Sequence, residues 1–110
     1  MITEIEINEE KITALLIGEI DHHNAPSIRE KIDECIERQN PRVLTMDFSG
    51  VTFMDSSGIG LVMGRYKLLA AREGKLEIIG LSNHAYKVMR LAGLEKIATL
   101  KRECKEVITK

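Results

Sequence analysis

No stretch of this sequence comes near the roughly 20 consecutive apolar residues that a membrane-spanning helix needs, so no membrane span is expected. Charge of one sign is missing too: 16 Lys and Arg stand against 17 Asp and Glu, a net charge of −1 over 110 residues. A nucleic-acid binder would show a basic excess gathered on one face, so no nucleic-acid partner is expected. Cysteine is scarce. Cys35 and Cys104 lie far apart and form no CxxC pair, which leaves no redox or zinc signature. Cys35 falls on the apolar stripe of an expected helix and reads as a reduced core thiol of a cytosolic protein. The opening Met1-Ile2-Thr3-Glu4 lacks the basic and apolar regions of a signal peptide, so a cytoplasmic location is expected. Repeats, low-complexity tracts and linkers are absent as well, and residues 1–110 read as one domain, expected to be a monomer. With 44% hydrophobic and 30% charged residues, the chain can bury one core without metal or disulfide staples.

Hydrophobic periodicity supplies the elements. Residues 3–8 alternate polar with apolar, as in a half-buried strand. Asn8-Glu9-Glu10 turns the chain into a second strand, Ile12 to Ile20, and the two form a hairpin. The run Ala14-Leu15-Leu16-Ile17 predicts burial on both faces of that strand. Asn24 is the expected N-cap of a helix with Pro26 in its first turn. Ile28, Ile32, Cys35 and Ile36 give that helix its apolar stripe to about Gln39, where Asn40-Pro41 ends it. Val43 to Phe48 is a third strand. A second helix runs from near Ser57 to about Arg72 and closes at Glu73-Gly74. Leu76 to Gly80 is a fourth strand. Ser82 or Asn83 caps a third helix, which Gly93 ends with Leu94 behind it. Ile97 to Leu100 makes a short last strand, and Cys104, Val107 and Ile108 mark a closing helix. The order ββαβαβαβα predicts an α/β fold, a mostly parallel or mixed sheet covered by helices.

The segment from Asp47 to Gly60 carries a buried strand outward through a loop and delivers Ser56 and Ser57 to a helix start. Open α/β sheets place ligand and partner sites at this carboxyl end of their strands, and the free N–H groups of a helix start suit an anion. A serine there also serves simply as an N-cap. The helix beyond has a stripe of Ile59, Val62, Met63, Tyr66, Leu69 and Ala70 wide enough to cover a sheet face. Off that stripe lie Gly60, Leu61, Gly64 and Leu68, where a face meeting only water would carry charge. Each glycine inside a helix costs up to about 1 kcal/mol relative to alanine. Two of them four residues apart keep a flat surface beside Ser57. Close packing within the chain and close approach of a partner both explain it.

Enzyme motifs fail on this segment. Gly58-Ile59-Gly60 with Gly64 has a spacing one residue too long for the dinucleotide fingerprint. Asp55 stands where the first glycine of a GxSxG elbow belongs. No GxxxxGK[ST] loop occurs. Neighbouring His22 and His23 cannot both aim inward from an extended segment, and His84 is alone, so no metal site is expected. Asp21 and Asp55 could in principle work as acid and base, but loop carboxylates are usually solvated. No catalytic constellation is complete, and no cofactor is implied. A small nucleotide-binding module using the glycine-rich helix start, and an enzyme with an unrecognised serine nucleophile, are the readings from other classes.

Met54-Asp55-Ser56-Ser57-Gly58-Ile59-Gly60, followed by Gly64-Arg65-Tyr66-Lys67, resembles the phosphorylation-site signature of anti-sigma factor antagonists. These belong to the sulphate transporter and anti-sigma antagonist (STAS) domain family. Gly18-Glu19-Ile20-Asp21-His22-His23 is similar to the family's other marker. Together the markers resemble sporulation members more than stress-response ones. Ile59 and Asn24 depart mildly, standing where leucine and threonine are expected. The resemblance implies a cycle in which the unphosphorylated protein binds an anti-sigma factor that is also an ATP-dependent serine kinase, and so frees the sigma factor. The kinase, holding ATP or ADP, then phosphorylates Ser57 and releases the product, and a serine phosphatase reverses the mark. Asp21 matches the acidic residue that takes part in kinase contact. The expected partner surface comprises Asp21, Ser56, Ser57, Gly58, Leu61, Gly64 and Leu68.

Overall fold

The computed structural model describes residues 2–102. Strands β1 (Ile2–Asn8) and β2 (Lys11–Ile20) form the expected antiparallel hairpin, with Asn8 opposite Lys11. Helix α1 (Ala25–Gln39) crosses over to β3 (Val43–Met54), α2 (Ser57–Ala70) to β4 (Lys75–Leu81), and α3 (Asn83–Leu91) to β5 (Thr99–Arg102). Each strand after β2 lies parallel to its predecessor, and the sheet runs β1-β2-β3-β4-β5. The sheet is therefore mixed, antiparallel at one edge and parallel elsewhere.

Register explains the core. Ile12, Leu44 and Leu76 stand side by side across β2, β3 and β4, and Ala14, Met46 and Ile78 form the next row. All six are buried, and they share one cluster with Ile28, Ile32 and Ile36 of α1, Leu61, Val62 and Leu69 of α2, and Met89 of α3. Burying each such aliphatic side chain contributes about 1.5–3 kcal/mol. The expectation that β2 is buried on both faces needs correction, because Leu15 and Ile17, on its other face, are only half-buried. The Lys31 ammonium adds a tie from α1 to β1 by donating to the Thr3 carbonyl.

Boundaries differ from expectation in instructive places. Strand β3 does not stop at Phe48 but runs six residues further, to Met54. Beyond Asp47 it has left β4, yet it goes on pairing with β2 from Gly50 opposite Ile17 to Met54 opposite Ile20. Ser82 caps α3 as expected, its Oγ accepting from the Ala85 N–H at 3.1 Å. Gly93 takes the left-handed conformation (φ 83°) behind α3, and Leu94 packs after it at 1% exposure. A 3-10 turn, Leu94–Lys96, then occupies residues expected to lead straight into a strand, so β5 starts two residues later than predicted. The expected closing helix around Cys104, Val107 and Ile108 lies outside the described residues.

Candidate functional site

Two strand-to-helix corners meet at the carboxyl end of the sheet. Because β3 continues beside β2, Ile20 ends opposite Met54, and the Asp55 N–H donates to the Ile20 carbonyl at 3.0 Å. The two marker segments, some thirty residues apart in sequence, are thus adjacent. Each corner is organised by an aspartate. The Asp21 Oδ1 accepts from the N–H groups of His23 and Asn24 at 3.0 and 2.9 Å, and its carbonyl accepts from Ala25. The Asp55 Oδ1 accepts from the Ser57 N–H at 2.7 Å, and its carbonyl accepts from Gly58.

This corrects the capping expected at both corners. Neither Asn24 nor Ser56 makes a side-chain cap hydrogen bond. The Asn24 Nδ2 donates instead to the Glu19 carbonyl at 3.1 Å. The aspartates satisfy helix-start N–H groups in place of the expected caps. Ser56 is exposed, and Ser57, the first residue of α2, is half-buried.

The Ser57 N–H, above all, holds the Asp55 carboxyl below the usual carboxylate range; desolvation opposes it, and the Ser57 hydroxyl and His22 add lesser pulls downward. A carboxylate whose folded pKa is depressed stabilises the fold above its unfolded pKa and loses that contribution as pH falls through the folded value. A pH titration followed by carboxyl and amide NMR should therefore show Asp55 titrating below ordinary aspartates. The Ser57 amide should follow the same curve and the start of α2 should fray only under that acid. Titration in the ordinary range, with an indifferent Ser57 amide, would remove Asp55 from the cap.

Helix α2 is turned differently from its predicted orientation. Leu61, expected on the outer face, is 4% exposed and belongs to the core, whereas Met63, expected inside, is 42% exposed. Ala70 is exposed as well, and Leu68 is half-buried. The three glycines at the start of α2 also separate. A Cβ on Gly58 would lie 2.4 Å from the Met54 Cγ and Sδ, so the methionine side chain would have to shift to admit one. Around Gly60 and Gly64 a Cβ would meet nothing within 4 Å. Nothing inside the described chain calls for glycine at these two positions, and each sacrifices helix stability of up to about 1 kcal/mol.

Between α1 and α2 lies an open groove of about 400 Å³, with His22, Ala25, Pro26 and Arg29 on one wall and Ser57, Gly60, Leu61, Gly64 and Arg65 on the other. Sequence reasoning quoted Arg65 only within a string and gave it no role. It is 5% exposed, with its Nε 2.8 Å from the Asp33 Oδ1 of α1. The contact is close enough for an ion pair but poorly aligned for a hydrogen bond, and the Arg65 Nη1 is buried without a hydrogen-bond partner among the described residues. A buried donor left unmet costs about 1–3 kcal/mol. Burial pushes the Asp33 carboxyl up against the pull of Arg65, and burial likewise lowers the guanidinium against the pull of Asp33. The available signal was that Arg65 is the first charged residue after Asp55 in an otherwise uncharged stretch.

A smaller cavity of about 110 Å³ flanks the outer half of β3, against Phe48, Phe53, Gly80, Ser82 and His84. Among the described residues no group of three His, Cys, Asp or Glu side chains could hold a metal ion, and no helix is long and apolar enough to cross a membrane.

Comparison with known proteins gives a consistent result. The family model for the STAS domain matches residues 4–107. An anti-sigma F factor antagonist from Paenibacillus polymyxa is 32% identical over 94 residues, covering 86% of this chain and 80% of its own. An anti-sigma-B factor antagonist from Listeria monocytogenes is 34% identical over 100 residues, covering 88% and 87%. Among solved structures, the anti-sigma factor antagonist SpoIIAA in its unphosphorylated form matches with a TM-score of 0.79 at 33% identity, over 90% of this chain and 87% of that one. The phosphorylated form of Bacillus SpoIIAA matches with a TM-score of 0.73 at the same identity, over 90% of each chain.

Proposed function

The chain belongs to the STAS domain family, and from that premise we propose that it is an anti-sigma factor antagonist switched off by phosphorylation of Ser57. In its unphosphorylated form it binds an anti-sigma factor that is also a serine kinase, in the cytoplasm, and releases the sigma factor. A serine phosphatase restores it. The protein contributes a surface and an acceptor hydroxyl, while the nucleotide and the transfer chemistry belong to the kinase.

The observation that carries this reading is the pair of glycines that no internal contact requires. They flatten α2 next to Ser57, leaving room for a second backbone or side chain to come close. The partner surface comprises Asp21, Ser56, Ser57, Gly64 and Leu68, with the buried Gly58 and Leu61 forming the floor behind them. A phosphate on Ser57 adds about −1.5 to −2 charge and three acceptor oxygens. Beside the Asp55 carboxylate, in a contact that excludes water, that charge meets a like charge and loses its hydration. Losing even 3 kcal/mol there weakens binding by about two orders of magnitude.

The sigma factor served is a sporulation one in this reading, on the strength of the Asp21-His22-His23 and Arg65-Tyr66-Lys67 strings and the SpoIIAA likeness. The Listeria relative, named for sigma-B, favours the stress-response alternative, and mixing with each candidate kinase separates the two. The test of the switch itself is direct. Incubation with the cognate kinase and ATP should add one phosphate, mapped by mass spectrometry to Ser57. Ser57→Ala should take none, and Ser56→Ala should still be modified. A wild-type protein phosphorylated on Ser56 would overturn the assignment.

A further inference from the structure

We propose that the groove between α1 and α2 seats a carboxylate side chain of the anti-sigma partner, received by Arg65 in its wall and Arg29 at its rim. The inference rests on the partner-binding reading above and adds a chemical subsite to it.

Arg65 is almost wholly buried, yet only one described anion approaches it, one oxygen of Asp33 against its Nε, and its Nη1 has no hydrogen-bond partner among the described residues. A guanidinium offers five N–H donors in a rigid fork matched to a carboxylate. The groove lining includes Arg29, Arg65 and His22 but no acidic side chain. Its charge therefore complements an acid. Opposite Arg29, the wall is lowered by Gly60 and Gly64, around which a Cβ would touch nothing. An incoming side chain can pass over them and lie along the groove. Charge-assisted pairs are among the stronger hydrogen bonds, and a partner carboxylate in the groove would stand against Arg29 and, beside Asp33, as a second anion near the Arg65 guanidinium. Ser57 lies in the same lining. A phosphate there would meet the partner's carboxylate as a like charge, which adds a repulsive element to the switch.

The test measures binding of the cognate kinase, loaded with ADP so that no transfer occurs, by isothermal titration at several salt concentrations. Two variants are compared with wild type. Arg29→Gln alters an exposed side chain, and the pair Asp33→Asn with Arg65→Met removes the buried charge and its half-buried partner together, leaving neither orphaned. Both should melt as cooperatively as wild type. The pair should bind at least about tenfold more weakly and Arg29→Gln severalfold, each with a flatter salt dependence, as loss of a charge pair requires. Unchanged affinity, or a loss with the wild-type salt slope, would overturn the subsite. Should the paired variant fail to fold, Arg29→Glu decides alone, by a loss of about tenfold or by none. Gly64→Glu separates the two levels of the argument. If it abolishes binding while the arginine variants bind normally, the subsite falls and the partner surface stands; if all of them bind normally, both fall.

Discussion

Gly64→Glu should leave the protein folded and cost it its partner. A Cβ at this position meets no heavy atom within 4 Å, and the longer side chain can turn into solvent in the free protein. Glutamate is also the better helix former, by up to about 1 kcal/mol over glycine. In the complex the same carboxylate would be trapped, unpaired, against a close-fitting surface. Truncating or misplacing buried interfacial charge costs about 2–5 kcal/mol, or some thirtyfold to several thousandfold in affinity. The milder double change Gly60→Ala with Gly64→Ala should dissociate stability from binding in the same direction. The free protein gains up to about 2 kcal/mol and melts several degrees higher, at roughly 4–8 °C per kcal/mol, while partner binding weakens. Calorimetric melting and titration on the same samples read both. If the alanine pair binds like wild type, the glycines do not serve the interface.

Gly80→Ala should be far more damaging than its size suggests. Gly80, near the end of β4, adopts φ 72°, and a Cβ there would lie 2.7 Å from both the Ser49 N and the Asp47 Oδ1. The Asp47 carboxylate cannot easily retreat, because it accepts from the Ser49 N–H at 2.9 Å. Backbone strain of about 1–2 kcal/mol adds to overpacking of about 1–3 kcal/mol, so melting should fall by more than about 10 °C. Gly93 is the internal comparison, since it has a similar φ of 83° but open space around a Cβ. Gly93→Ala should lose only the strain. Equal melting temperatures for the two variants would show that the steric clash is relieved at no cost. Because Asp47 to Ser49 is where β3 leaves β4 on its way to Ser57, Gly80→Ala should also loosen the site and slow phosphorylation.

The elements were legible in the sequence wherever a period or a punctuating residue fixed them. The β1–β2 hairpin, the Ile28-Ile32-Ile36 stripe of α1 and the Gly93-Leu94 stop of α3 all lie where local chemistry places them. Several readings failed, most of them for reasons that local chemistry does not contain. Ser49-Gly50 looks like the end of a strand, yet β2 lies alongside and supplies hydrogen bonds as far as Met54, with the register slipping between Leu15 and Ile17 and again between Gly18 and Glu19. Helix α2 is apolar almost all round from Ile59 to Met63, so periodicity alone could not set its rotation, and Leu61 and Met63 exchanged places. At both corners an aspartate precedes the serine or asparagine, and since each of these residue types can accept from a helix-start N–H, the local pattern alone does not choose between them. The Arg65–Asp33 pair joins helices that only the fold brings together. The adjacency of the two marker segments rests on the same strand extension that was missed.

Spatial order in this sheet is chain order, β1 to β5 without a skipped position. Each strand emerging from the ribosome therefore finds its neighbour already made, and no segment must wait for a distant one before it can pair. Only the β1–β2 turn is short, but each later pair of partners is separated by a single helical crossover, which limits the closure entropy and suits folding from the N-terminus as synthesis proceeds. The helices do wait: α2 packs on β3 before it and also on β4 after it, as α3 does on β4 and β5. The helix that Ser57 begins is thus fully supported only once β4 has docked, so a nascent chain ending before Lys75 would carry the acceptor serine on an incompletely packed helix.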